Sequence, residues 1–309
     1  MATTQTLAIL SGENKVFYDR VLLERMLPEL VYADYGQKRP APKHEGDTIN
    51  FRKFNSLAVA LTPLSEGVTP GGNAMTMSSI TATVAQYGDF LQLSDKIDVI
   101  AIDPVLTEAV SLNSEQAALT IDTINRDIIC AGTNVQYAGG KASRVLTTSA
   151  DVLTGTEIKK AVRTLRRNNA KVVQDGSFVG ILGADAEYDL MADPMWVDVA
   201  KYQNKEQLLK GELGKLYGVK FVRTSNNKIF TGLGAAGINI HATLIIAKDA
   251  YGLIDIEGSG KPESIIKAAG SAGTSDPLDQ ISTCGWKCLF TAKMINELAL
   301  IRIERAVSN

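Results

Sequence analysis

Histidine, tryptophan and cysteine are scarce in this chain, at two, two and three of 309 residues, and the scarcity excludes a good deal of chemistry. The histidines, His44 and His241, are nearly 200 positions apart. They leave little material for a Ser-His-Asp triad, and no serine has nucleophile-elbow spacing. Cys130, Cys284 and Cys288 are an odd number. Cys284 and Cys288 could form half of a metal site, but no second cysteine pair completes it, so packed thiols are expected rather than ligands or disulfides. A strong charge of either sign is also missing. Lys plus Arg total 32 against 34 Asp plus Glu, for a net charge of -2 and a pI near 5.8. That balance lacks the basic footprint of a sequence-reading nucleic-acid binder. No stretch approaches the roughly 18 to 20 apolar residues of a membrane span. The opening Met1-Ala-Thr-Thr-Gln-Thr6 has neither the basic start nor the apolar core of a signal peptide, so synthesis in the cytosol is expected.

What is present is an ordinary globular composition, 45% hydrophobic and 21% charged, long enough for one large or two modest domains. Residues 1–12 read as a loose tail. A helical pattern follows, with Val16, Phe17, Val21, Leu22, Leu23 and Met26 apolar and Pro28 closing it. Gly36 to Lys43 is rich in Pro and Lys and predicts extended, irregular chain. Residues 47–61 and 78–93 alternate in strand fashion, with Leu57, Val59 and Leu61 on one face of the first and Ile80, Ala82 and Val84 on one face of the second. They predict a long hairpin. Its tip, 62–77, holds Pro63, Gly67, Pro70, Gly71 and Gly72 and is too long for a tight turn. A two-stranded ribbon is marginal in water, so it needs cover from its own chain or from another.

Asp103-Pro104 is a helix start and Gly132 a stop. The intervening helix would be about 40 Å long at ~1.5 Å per residue, a spine across a flat sheet, with the polar interval Asn113 to Gln116 the point where it would break. Residues 133–153 form a Gly/Ser/Thr-rich connector and a domain boundary. Beyond it, helices at 156–169 and from Asp185 alternate with strands at 178–182, 219–223, 239–247 and 253–256, the pattern of a compact α/β layer structure. Residues 286–306 return to long strands, expected to pack on the spine helix.

Gly232-Leu-Gly-Ala-Ala-Gly237 matches G-x-G-x-x-G, with Glu257 twenty residues on. A dinucleotide site needs a helix to start inside that motif, whereas Ile238 to Ile246 is β-branched and predicts a strand, so a flexible loop is expected. Gly139-Gly-Lys141 lacks the first glycine and the Ser/Thr of a phosphate loop. Lys159, Lys160, Arg163, Arg166 and Arg167 give the 156–169 helix a basic face, read as solvated or as a contact for a subunit or phosphate. Trp196, in Asp193-Pro-Met-Trp-Val197, is an aromatic anchor for packing or for an interface.

Two stretches resemble a known family. Gly273-Thr-Ser-Asp-Pro-Leu-Asp-Gln280 leads into Gly285-Trp286-Lys287 and a strand ending Leu300-Ile-Arg-Ile-Glu304, and Gly211-Glu-Leu-Gly214 runs through Tyr217-Gly218 to Asn226. Both are similar to segments of major capsid proteins of tailed bacteriophages, in particular the family typified by the coat protein of podovirus N-four. The resemblance implies an α+β Hong Kong 97-like fold. Residues 1–45 would be an N-terminal arm, 46–95 an extended loop, 96–150 with 272–309 a peripheral domain carrying the spine helix, and 151–271 an axial domain. It implies a virion capsid protein, assembled in the host cytoplasm into hexamers and pentamers of an icosahedral shell around double-stranded DNA, with no catalytic residue, cofactor or metal. The short stretch before the first helix and the start at Met1 imply no fused scaffold or propeptide, hence a separate scaffolding protein beside a portal, with a decoration protein as a further candidate partner. Covalent Lys-Asn cross-links are not expected. Phe17, Pro63, Pro70, Met75, Met77 and Trp196 are the candidate interface residues. Lys38, Arg39 and Lys43 are the candidate DNA-proximal cations, for non-specific contact only. The alternatives are an encapsulin-like cargo shell and a nucleotide-binding enzyme resting on Gly232 to Gly237.

Overall fold

The computed structural model describes residues 4–5, 30–41, 46–64, 66–69, 71–101, 105–173, 176–196, 214–256, 262–271 and 276–308. In chain order its strands are β1 (Thr4–Gln5), β2 (Gln37–Ala41), β3 (Thr48–Phe54), β4 (Met77–Thr83), β5 (Ala85–Ser94), β6 (Val135–Tyr137), β7 (Phe178–Leu182), β8 (Lys215–Leu216), β9 (Val219–Arg223), β10 (Ile229–Phe230), β11 (Ile240–Ile246), β12 (Tyr251–Ile256), β13 (Glu263–Lys267), β14 (Ile281–Met294) and β15 (Leu300–Arg305). Its α-helices are α1 (Asp95–Ile100), α2 (Val105–Ile129), α3 (Gly155–Arg167) and α4 (Ala184–Ala192). The first predicted helix, with Phe17, lies outside the described residues, as do Asp103-Pro104, His44 and Glu257.

The longest strand, β14, shows why its sequence makes a sheet. Cys284, Trp286, Cys288, Phe290 and Ala292 alternate along it and are all buried, so one face is a continuous apolar row. One edge pairs antiparallel with β5, from Ile281↔Ser94 to Phe290↔Ala85, and the other with β13 and β12. β2 and β1 complete this six-stranded sheet. Gly285 has a steric role here, because a Cβ at that position would lie 2.8 Å from Phe90 Cβ and 3.0 Å from Asp89 O on the paired strand. Gln37–Ala41, expected to be irregular, is instead an edge strand parallel to β12, a position that tolerates Pro40 because an edge strand has unpaired amides.

α2 crosses β14 unbroken for 25 residues, about 38 Å, as the single long helix expected, and it continues through the polar interval that was its weakest point. Its buried stripe is Ala109, Asn113, Ala117, Asp122, Asn125 and Ile129, small or polar residues until the large Ile129 at its end. Asn113 Nδ2 donates to Cys284 O at 2.9 Å and Trp286 Nε1 donates to Gln116 Oε1 at 3.1 Å. The polar interval is thus the helix's docking seam. Asp122 accepts from Tyr32 N and Asn226 Nδ2, each at 2.9 Å, tying residues before and after the spine to it. Burial raises its carboxyl above the usual range, with the Asn226 bond opposing.

The second sheet runs β6-β15-β11-β7-β9-β8, with β10 also on β11. Every residue of β7, β11 and β15 is buried. α3 covers part of this sheet with Ile158, Ala161, Val162 and Leu165, all buried. The strands do not follow the expected domain boundaries. β12 and β13, within 151–271, belong to the six-stranded sheet, and β15, expected against the spine helix, lies between β6 and β11. Hydrogen-bond register decides this, and it leaves no periodic trace in the sequence.

β15 also buries Arg302, Glu304 and Arg305. The Arg144 guanidinium donates twice to Glu304 at 2.6 Å and lies 3.6 Å from the centroid of the Phe230 ring, while Arg302 Nε donates to the same carboxylate at 2.8 Å. Arg302 reaches Gly132 O at 3.0 Å, closing the end of the spine onto this sheet. Arg305 meets Asp189 Oδ2 at 3.1 Å, and burial pulls its pKa down to about 10.

Two substitutions test this packing. Trp286→Ala should lower the unfolding free energy of unassembled protein by about 3–5 kcal/mol in denaturant titrations, through the lost ring and its cavity; unchanged stability with lost assembly would instead make Trp286 an interface residue. Glu304→Gln should cost a similar ~3–5 kcal/mol, because it leaves Arg302 and Arg144 without their shared counter-charge; a loss below about 1 kcal/mol would mean that Phe230 and backbone carbonyls suffice for both guanidinia.

Candidate assembly surfaces

β3 and β4 form a separate two-stranded ribbon, paired from Thr48↔Thr83 to Phe54↔Met77. Its root is covered by its own chain. Phe51, Ala82 and Ile254 are buried together, with Ile49, Ile80, Val84 and Ile295 packed against them. Gly252 makes this possible, since a Cβ there would meet Phe51 Cζ at 2.7 Å and Ile295 Cδ1 at 2.8 Å. Beyond the root the cover ends. All described residues from Arg52 to Ser79 are exposed.

The first strand stops at Phe54 rather than at 61, so the irregular tip is longer than expected, held at its base by Asn55 N donating to Thr76 O at 3.0 Å. Phe54, Leu57, Val59, Leu61, Leu64, Val68, Met75 and Met77 each expose half or more of their surface, up to 84% for Leu61. Exposed apolar side chains in this number on one element make it a candidate interaction surface. Alternation alone could have pointed to the same residues, because the pattern at Leu57, Val59 and Leu61 continues where no partner strand exists.

Of the expected interface residues, Pro63, Met75 and Met77 lie exposed on this ribbon. Phe17 and Pro70 fall outside the described residues. Trp196 does not share that surface: it is 6% exposed and part of the main core, in helical residues 194–196 that follow a bend at Asp193, whose carboxylate accepts from Gly155 N at 2.6 Å. Lys38 and Arg39 are exposed on β2, with Arg39 5.5 Å from the Phe51 ring centroid at the ribbon root. Lys43 is outside the described residues.

The candidate chemistry resolves into structure. Gly232 to Gly237 forms a turn with Ala236 at φ 56°, tied by Ala235 N to Thr147 O at 2.9 Å, and runs into strand β11 rather than a helix, so no helix N-terminus faces a phosphate there. Lys141 lies 3.7 Å from Asp151. His241 sits in β11, 3.3 Å from Asp185 and across from Arg305, and burial followed by the Arg305 charge lowers its pKa. The three cysteines are buried, and burial pushes the Cys130 thiol up to about 12, which makes it a poor nucleophile. Among the described residues no cluster of three or more His, Cys, Asp or Glu could hold a metal, and no helix is long and apolar enough to cross a membrane.

No protein-family profile matches the chain. Over 120 residues, 38% of its length, it is 32% identical to the major capsid protein of Escherichia phage T5, and the matched region spans a quarter of that relative. Solved structures match over nearly all of it. The capsid protein of Ralstonia phage GP4 superposes with a TM-score of 0.74 at 10% identity, covering 99% of both chains. That of cyanophage P-SCSP1u gives 0.73 at 14% identity, covering 97% of this chain and 95% of the other. At such low identity the likeness speaks for the fold, and with its spine helix, two sheets and projecting ribbon this chain has the α+β Hong Kong 97-like fold of tailed-phage capsid proteins.

Proposed function

We propose that this chain is a major capsid protein, which self-assembles into the hexamers and pentamers of an icosahedral phage head around double-stranded DNA. The observation that carries the reading is the uncovered apolar ribbon on this fold: its root is buried on β12 and its tip can lose water only against another copy. In this reading the ribbon is the extended loop, the segment before it the N-terminal arm, the sheet under α2 the core of the peripheral domain, and the β11-centred sheet that of the axial domain. The match to the phage T5 protein supports it. A portal, a separate scaffolding protein and a decoration protein are the partners it calls for, with assembly in the host cytoplasm. No step of this function needs a bond to be made or broken, so the reading assigns no catalytic residue.

Packaged DNA would meet the inner surface through scattered cations such as Lys38 and Arg39, and contacts of that kind recognise phosphate without reading bases.

Electron microscopy of the protein, alone or with its scaffold, should show closed shells; monodisperse monomer under all such conditions would overturn the reading. Replacing residues 56–75 by a short Gly/Ser turn should leave the unfolding free energy within about 1 kcal/mol, since the described residues of that segment are all exposed, while abolishing shells. Loss of soluble folding would mean that the tip belongs to the core. Capsomer binding to duplex DNA should weaken at least tenfold between 50 and 200 mM salt, by counterion release from several phosphates; a salt-resistant preference for one sequence would contradict phosphate-only contact.

A further inference from the structure

We infer that α4 and the end of the chain are held to the second sheet by an acid-sensitive latch, in which His241 stays uncharged beside Arg305 and loosens the contact when it takes up a proton. The inference stands apart from the assembly reading, because every group in it belongs to one copy.

Four titratable or charged side chains meet where β11, β15 and α4 come together. His241 and Arg305 are direct cross-strand partners in the antiparallel pair β11 and β15. Asp185 and Asp189 stand at i and i+4 of α4, which puts both carboxylates on one helix face. That face is turned to the strand pair: His241 Nδ1 is 3.3 Å from Asp185 Oδ2, and Arg305 Nη1 is 3.1 Å from Asp189 Oδ2. Asp189 also accepts from Ser308 Oγ and, at 3.4 Å, from Ser308 N, so the same carboxylate ties down the end of the chain. On its other side His241 pairs with Ile229 of β10, which has no charge, and the adjacent Lys228 is engaged by Asp127 at 3.0 Å.

The two acids differ in what they offer the imidazole. The Asp189 side chain is 2% exposed and committed to Arg305 and Ser308. That of Asp185 is 59% exposed, so water screens its attraction for a charged ring. Arg305 is fully buried and the His241 side chain is 9% exposed, and in such poorly hydrated surroundings like charges repel strongly. Burial first and the Arg305 charge second therefore hold the His241 pKa below its ordinary 6.5, against the smaller opposing pull of Asp185 and Asp189. The unfolded chain takes up this proton more readily than the folded one. The contribution of neutral His241 to stability is thus complete above about pH 6.5 and is lost as the pH falls through that value and then through the folded-state pKa. Once protonated, the ring is a second cation against Arg305 and competes for the carboxylates that fasten α4, so the helix and the chain end are the parts that loosen.

Hydrogen exchange on the full chain, read by mass spectrometry with the assembly state matched across samples by sedimentation, tests the latch. Between about pH 7.5 and about pH 5.5, after correction for intrinsic exchange rates, peptides covering α4 and residues 305–308 should exchange severalfold faster in the wild type and in His44→Gln. They should not change in His241→Gln, whose side chain is neutral at both pH values, and peptides from β14 should not change in any of the three. No acceleration in the wild type would overturn the latch. Equal acceleration in His241→Gln would also overturn it, by assigning the effect to Asp185 and Asp189. If His241→Gln does not fold, the imidazole NMR titration of His44→Gln decides, because His241 is then the sole histidine. Its ring should titrate below 6.5, and a midpoint at or above 6.5 would overturn the inference, since Asp185 would then be holding it charged.

Discussion

Strand β14 is the element on which the rest of the structure depends. Both of its edges are paired, with β5 on one side and β13 and β12 on the other, and its buried row from Cys284 to Ala292 lies beneath α2. The ribbon hangs from the same strand at one remove, because its second strand passes directly into β5 and its root packs on β12. Few positions along β14 can vary in size. Gly285 has no room for a side chain against Phe90, and Trp286 fills the space under the helix while giving its N–H to Gln116.

The C-terminal strand contributes in a different way. An Arg, a Glu and a second Arg on a fully buried strand would be costly singly, since each charge loses its water. They are tolerated because Glu304 is shared by Arg302 and Arg144 while Arg305 meets Asp189. The partners come from the connector after the spine and from α4, so the cluster ties the end of the chain to segments more than a hundred residues earlier. The charged residues of the stretch with the strongest family resemblance are thus engaged in holding the fold together.

Hydrophobic burial is unevenly distributed. One large core spans both sheets, a small one holds the ribbon root and another, Leu93, Ile97, Ala109 and Cys284, joins α1 and α2 to the first sheet, whereas the described tip residues leave their apolar side chains exposed. Evolution of a monomer would remove such surface, because it promotes non-specific association. Eight exposed large hydrophobic side chains, Phe54 through Met77, sit on this one projecting element, and they are the surface that the assembly reading assigns to a second copy.

The sequence by itself determined the elements whose periodicity is local: the spine helix, the amphipathic α3 with its basic face, the buried strands at 178–182 and 240–246, and the ribbon with its Gly/Pro-rich tip. It also determined that Gly232 to Gly237 leads into a strand, since the run that follows is β-branched. Which strands share a sheet was decided only by tertiary structure. β12 and β13 lie in one sheet and β15 in the other, because pairing register depends on long-range hydrogen bonds that no local pattern encodes. The fate of Trp196, of Asn113 and of the C-terminal charges was likewise settled in three dimensions. An aromatic, an amide or an arginine in a sequence fits a surface as well as an interior, and only the partner brought to it by the fold, such as Cys284 O for Asn113 or Glu304 for Arg144, makes its burial stable.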